Sequence, residues 1–173
     1  LAENHDPDAA LEVGKLALAP DDPEDDGQVA LEVNEAVVSA DFVCSTGMVE
    51  PHQYAGFSGG AKTVVIGAGG EPFIRHTHGP DVLSQDGVRL GRVEDNPFRA
   101  LVDRAGDLVG PDFCLNVTHT KAGVLDAAAG NHRAVVRELA ASAREALSVP
   151  VETGYDAVVA GVGAPKDANL YQA

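Results

Sequence analysis

Apolar positions along this chain come in short blocks divided by charged or glycine-rich joints. "DPDAALEVGKLAL" opens with an acidic, turn-prone start. "PDDPEDDGQ" (residues 20–28) is a charged loop with two prolines, and no regular element should cross it. "VALEVNEAVVSADFVCSTG" predicts a short strand, a short helix and a buried strand ending near Thr46. "TVVIG" is rich in β-branched residues and reads as a strand, "GAGG" as a turn, and "EPFIRHTH" as a short helix starting near Glu71. "NPFRALVDRAGDLVG" has helical periodicity, with Asn96 as N-cap, Pro97 at the first helical position and Gly110 as its end. "DFCLNVTHT" and "AGVLDAAAG" read as strands. "NHRAVVRELAASAREALSV" is the longest helix, alanine-rich and capped by Asn131. "YDAVVAGVG" predicts a final buried strand, and "PKDANLYQA" turns out of it. Alternation of strands and helices with short joints predicts an α/β layered sandwich with a mostly parallel sheet. Residues 1–150 would form one α/β domain, and 151–173 the first strand and turn of a second α/β domain.

Composition narrows this picture. The 173 residues are 45% apolar, enough for a packed core, and no run approaches the ~20 apolar residues of a membrane helix. Acidic residues outnumber basic ones 27 to 12, a net charge of −15, which argues against a nucleic-acid surface. Aspartate-rich, lysine-poor chains suit a salty cytoplasm, where self-repulsion is screened. Cys44 and Cys114 match no metal or redox spacing and read as two buried free thiols in a reducing compartment. The chain starts at Leu1 and its only methionine is Met48, so it reads as a segment of a longer protein.

Chemistry concentrates in "PHQYAGFSGGAK". Small residues such as Ser58, Gly59 and Gly60 let peptide N–H groups approach a ligand closely, and a loop of this kind suits an anion. Lys62 would add an ammonium. The spacing is not that of a P-loop. His52 follows Pro51 beyond a strand, where it could take or give a proton near neutral pH, or could be a hydrogen-bonded loop histidine. His76 and His78 in "RHTH" could point the same way from an extended chain, and imidazole suits nickel, zinc, copper or iron. No third ligand follows at a familiar spacing. His5, His119 and His132 read as structural or solvated residues in polar turns or at a helix start.

Four stretches together, "VEPHxxAGFSGGAK", "GxGGExxIxxxH", "LGRVEDNP" and "YDAVVAGVGAPKDANLYQA", resemble the lactate racemase family that uses a nickel-pincer nucleotide. The opening "NHDPDAALEVGKL" is similar to the segment that precedes this motif in the family. The resemblance implies that Lys62 can hold the cofactor covalently through a thioamide. It implies that His78, sixteen residues after Lys62, ligates nickel beside two sulfurs and a carbon of the pincer. His52, ten residues before Lys62, matches one of two catalytic histidines that would remove a substrate hydroxyl proton while the carbon-bound hydrogen leaves as hydride. Ser58, Gly59 and Gly60 would line the cofactor, and Tyr171 and Gln172 match residues near cofactor and substrate. The implied activity is racemisation or epimerisation of a small 2-hydroxy acid in the cytoplasm, with no nucleic-acid or membrane partner. The alternative is a non-catalytic domain that binds or carries the cofactor or another phosphate ligand. Departures are plain: the family's second histidine, in a "GTHR"-like motif, is not in this sequence, Ile66 stands where the family usually has proline, and "GVGAP" replaces "GGYP".

Overall fold

The computed structural model describes residues 3–17, 27–161 and 163–164. A 3-10 turn (Pro7–Ala9), started by the Asp6 side chain accepting from Asp8 N–H, leads into β1 (Ala10–Ala17). β1 pairs antiparallel with β2 (Gln28–Asn34). Asn34 then caps the single-turn helix α1 (Glu35–Val38) through its Oδ1, which accepts from Ala36 N–H at 2.9 Å. β3 (Cys44–Met48) follows, then a two-rung hairpin of β4 (Pro51–His52) and β5 (Gly56–Phe57). Three short helices come next: α2 (Lys62–Val65), α3 (Glu71–Thr77) and α4 (Pro80–Leu83). Helix α5 (Pro97–Val109) starts at Asn96 and stops at Gly110, as its cap signals require. β6 (Phe113–Thr120) and β7 (Gly123–Gly130) form a hairpin, and α6 (His132–Leu147), capped by Asn131, packs back across it.

The chain is thus mixed α/β, but its sheets are not mostly parallel. Among the described strands, only β3 and β6 pair parallel; β1–β2, β4–β5 and β6–β7 are antiparallel. The cause is local. Lys121 and Ala122 alone join β6 to β7, and so short a joint can only reverse the chain. The run "TVVIG" is not a strand either. Gly60, at φ 63°, turns the chain into α2, where Val65 N–H donates to Ala61 O at 2.9 Å and Val65 is fully buried. Residues 155–161 form no strand, and Val158 and Val159 are 79% and 98% exposed. An apolar run becomes a buried strand only beside a neighbour, and no described strand pairs with this one. "PKDANLYQA" lies outside the described residues.

Among the described residues, two apolar cores result. One joins β1 and β2 to α5 through Leu16, Leu31, Phe73 and Phe98. The other lies between α6 and the inner face of the β3–β6–β7 sheet, around Val49, Phe57, Cys114 and Leu139. The outer face of that sheet is uncovered, and leaves Met48, Phe113, Leu115 and Leu125 exposed. Cys44 is exposed as well, because its position on β3 alternates to that outer face, whereas Cys114 points inward; only one of the two thiols is buried.

Candidate active site

The loop from β3 to α2 is folded by its small residues. Ser58 is fully engaged: its amide donates to Glu50 O at 2.8 Å, its hydroxyl donates to Met48 O at 2.8 Å and accepts from Glu50 N–H at 2.9 Å. Gly60 N–H donates to Oδ1 of Asn116 at 2.8 Å, a fully buried side chain reaching up from β6. Both glycines have positive φ, 79° at Gly59 and 63° at Gly60. A Cβ on Gly59 would stand 2.6 Å from Val49 Cγ2, and one on Gly60 2.8 Å from His132 O in the first turn of α6. Packing therefore demands glycine here whether or not a ligand is present. Two of the amides expected to face an anion, those of Ser58 and Gly60, are spent on the protein itself.

Lys62 opens α2 directly behind this loop. Burial holds its amine below the ordinary lysine range, and the Arg99 guanidinium pushes it further down. His78 sits at the C-terminal end of α3. Burial holds its imidazole below the ordinary histidine value; a hydrogen bond to Ile74 opposes the shift, and the charge of Lys62 adds to it. Lys62 and His78 thus share one electrostatic neighbourhood. His78 Nδ1 lies 2.9 Å from Ile74 O, which can only accept. The ring proton is therefore on Nδ1, and Nε2 carries the lone pair, the form a metal ligand needs. His76 does not accompany it: both lie at the end of a helix, not on an extended chain, so the two rings diverge.

His52 ends β4, and the turn after it wraps round its ring. Tyr54 N–H and Ala55 N–H both point at His52 Nδ1, at 3.2 Å each. The His52 and His78 rings meet the same fully buried hub, Phe98, with centroids 6.3 Å and 5.1 Å away. Tyr54 bridges them, 6.1 Å from each. The His52 and His78 rings are accordingly gathered round Phe98 and Tyr54, and the charge of Lys62 reaches His78. Tyr171 and Gln172 fall outside the described residues.

Several residues that shape this place were invisible as site residues in the sequence. Asn96 caps α5 with Oδ1, accepting from Arg99 N–H at 3.1 Å, but its Nδ2 also donates to Tyr54 O at 2.8 Å. Arg99, 2% exposed, donates to Ala55 O at 3.4 Å and to Phe57 O, and faces Asp103. "NPFR" reads as a helix start; its second task, gripping the 54–57 loop, needs partners 42 to 44 residues away. The other histidines are structural. His5 bonds Gly69 O and Asn34, His119 on β6 faces Glu50 at 3.3 Å, and buried His132 meets Asp107 at 3.1 Å. Among the described residues no group of three or more His, Cys, Asp or Glu side chains could hold a metal ion by itself.

Residues 24–91 match the lactate racemase N-terminal domain. The fold agrees: the apoprotein of lactate racemase from Thermoanaerobacterium thermosaccharolyticum superposes with a TM-score of 0.68 at 27% identity, over 79% of this chain and 32% of that one. This chain is similar to the lactate racemases in sequence and in fold. Its sequence is 29% identical to the curated lactate racemase of T. thermosaccharolyticum over 143 residues, and 28% identical to that of Lactiplantibacillus plantarum over 142. A Thermotoga maritima protein also matches in structure, with a TM-score of 0.61 at 25% identity, over 83% of this chain and 38% of that one. The chain spans about a third of the length of the curated lactate racemases it matches, 34% in each case.

Proposed function

We propose that this chain is the cofactor-holding part of a racemase or epimerase of small 2-hydroxy acids that works with a nickel-pincer nucleotide. The observation that carries the proposal is that the His52 and His78 rings meet round Phe98 and Tyr54, with the charge of Lys62 reaching His78. The donor chemistry fits the cofactor. His78 offers a lone pair at Nε2 and favours its neutral form, as a nickel ligand must. Burial and Arg99 lower the pKa of the Lys62 amine, which makes the uncharged form, the one that can bond covalently to the pincer, easier to reach than in water. A single imidazole does not hold a metal alone, so the remaining donors would come from the organic ligand, with Ser58, Gly59 and Gly60 shaping the wall beside it.

The cofactor, when bound, supplies a hydride acceptor. The chain's own residues do the rest. Buried Phe98 and half-buried Tyr54 form an apolar floor that keeps water from the reacting carbon. His52 is the catalytic residue at the substrate oxygen. The substrate carboxylate needs a cation, and an arginine or lysine elsewhere in the full-length protein would provide it. No described helix is long and apolar enough to cross a membrane, and the substrate is taken to be a small dissolved acid.

The test uses full-length protein purified from its native host. Nickel by elemental analysis, a cofactor-sized mass on Lys62 and inversion of at least one member of a panel of chiral 2-hydroxy acids are expected. Loaded protein that inverts none of them rejects the racemase. Lys62→Ala is expected to abolish the adduct, and His78→Ala to lose nickel while keeping it.

A further inference from the structure

A cleft of about 770 Å³ opens between the β4–β5 hairpin, the turn of residues 89–92 and the end of α6. That volume lies in the range of small-molecule sites, about 300–1,000 Å³. His52, Lys62 and His78 do not line it. Pro51 and Phe57, which face each other in the hairpin, do. Phe57 belongs to the core under α6, whereas the His52 ring meets Phe98 in the other core. The cleft is therefore a separate place from the site of His52 and His78, across the same hairpin.

Three guanidiniums, those of Arg89, Arg92 and Arg144, line the cleft against two carboxylates, Glu94 and Asp95. It is thus net positive, on a chain of net charge −15. A neighbouring cavity of about 440 Å³ is balanced by contrast, with Arg99, Arg133 and Arg137 against Glu94, Asp95 and Asp103. Arg92 is partly answered: its Nε donates to Glu94 O at 3.0 Å, and its Nη2 lies 3.5 Å from Asp95 Oδ2. Arg144 donates from Nη2 to Gly91 O at 2.8 Å, and its Cζ sits 5.7 Å from the ring centroid of buried Phe57. That leaves most of its donor fork unused. Arg89 is exposed, and its guanidinium has no hydrogen-bond or ion-pair partner among the described residues.

The frame that carries these charges is closely packed. Gly91 N–H donates to Gly56 O at 3.0 Å, and a Cβ on Gly56, at φ 74°, would stand 1.8 Å from Arg92 O. The turn is clamped between the hairpin on one side and Arg144 of α6 on the other. Cations already placed in this way lose little freedom when an anion arrives. Apolar groups flank them: Leu90 and Leu147, both lining the cleft, are 63% and 43% exposed. Bare leucines beside unanswered guanidiniums suit a molecule with one charged and one apolar end.

We propose that this cleft binds a small amphiphilic oxyanion, a carboxylate or phosphate carried on a short apolar body. Arg89 and Arg144 take the oxyanion, and Leu90 and Leu147 cover the body. The guanidinium fork matches either head group through paired N–H bonds. The proposal goes beyond the racemase reading and does not rest on it: the bound acid is held here without reaction.

The experiment is methyl NMR of full-length protein carrying 13C-labelled leucine, with Leu90 and Leu147 assigned by comparison with Leu90→Met and Leu147→Met. Four probes are titrated: hexanoate, hexyl phosphate, hexanol and inorganic phosphate. Hexanoate or hexyl phosphate is expected to shift both methyl signals saturably, at concentrations at least about tenfold below those of hexanol and inorganic phosphate. The tighter of the two names the head group. Hexanol binding as well as either charged probe reduces the cleft to a greasy patch and overturns the proposal. Inorganic phosphate binding as well as hexyl phosphate reduces it to an adventitious ion site and overturns it too. So does saturation that moves other leucines and leaves Leu90 and Leu147 where they were, or no saturation by either charged probe. Arg89→Glu is expected to weaken the charged probes about tenfold or more and to leave hexanol unchanged, with an unaltered urea midpoint. Undiminished binding of the charged probes by that variant rejects the role of Arg89. Should it not fold, Arg89→Gln replaces it with the same expectation and the same rejecting result. Because binding is read without turnover, a protein that inverts no hydroxy acid but saturates with hexanoate loses the racemase and keeps the cleft.

Discussion

A lysine partly withdrawn from water beside a buried guanidinium is poorly disposed to carry charge. Lys62 is in that position, with burial the larger influence and Arg99 the second. Folding disfavours its charged form relative to the unfolded chain, so between its depressed value and the ordinary lysine range the unfolded chain binds more protons than the folded one. Stability drawn from this residue is complete above the ordinary lysine range and is lost as pH falls through the depressed value. Wild type compared with Lys62→Met should therefore gain relative stability as pH rises from neutral toward the ordinary lysine range, read as denaturant midpoints; a difference that stays constant as pH rises would contradict the burial assigned here. At this scale much was legible. The spacings of His52, Lys62 and His78 stand in the sequence, and the structure brings the rings of His52 and His78 to one hub, with Lys62 acting electrostatically on His78. Asn116 and the outward hand of Asn96 were not, because their partners lie 56 and 42 residues away. A cap residue announces its oxygen to the reader and conceals its nitrogen.

Helices were the most legible elements, since their signals are local. α5 and α6 begin and end where Asn96, Gly110 and Asn131 say they should. Asn131 Oδ1 accepts from Arg133 N–H at 3.0 Å and from Ala134 N–H at 3.4 Å, tying down the turn that abuts Gly60. Asn131→Ala should cost about 1 kcal/mol and Asn131→Gly only a few tenths, measured as shifts in urea midpoint. An alanine variant as stable as wild type would mean the cap is idle. Strands were less legible because β-branched runs state a preference and not a partner. "TVVIG" became α2 once Gly60 had turned the chain and the buried faces of Val64 and Val65 had found the interior. The turn at Lys121 and Ala122 carries none of the Asn-Gly type signal that marks a tight hairpin, so the antiparallel course of β7 was hidden.

Over the whole molecule, sheet direction was the feature least available from the chain alone, because it depends on which distant strands meet. The parallel β3–β6 pair joins residues about 70 apart and has no local signature. Charge, by contrast, is read directly. With a net charge of −15, compaction works against self-repulsion, and raising salt from about 0.1 M to 1 M shortens the screening length from about 10 Å to 3 Å. Melting temperature should rise with sodium chloride over that range, and a flat or falling trend would show that attractive pairs such as Arg133–Asp107 outweigh the repulsion. The bare side of the three-stranded sheet has a practical consequence of its own. Leu115, Met48 and Phe113 make a greasy wall on an otherwise highly charged particle, so the polypeptide on its own would clump in concentrated stocks. Dilute handling, or a mild detergent, would keep it in solution.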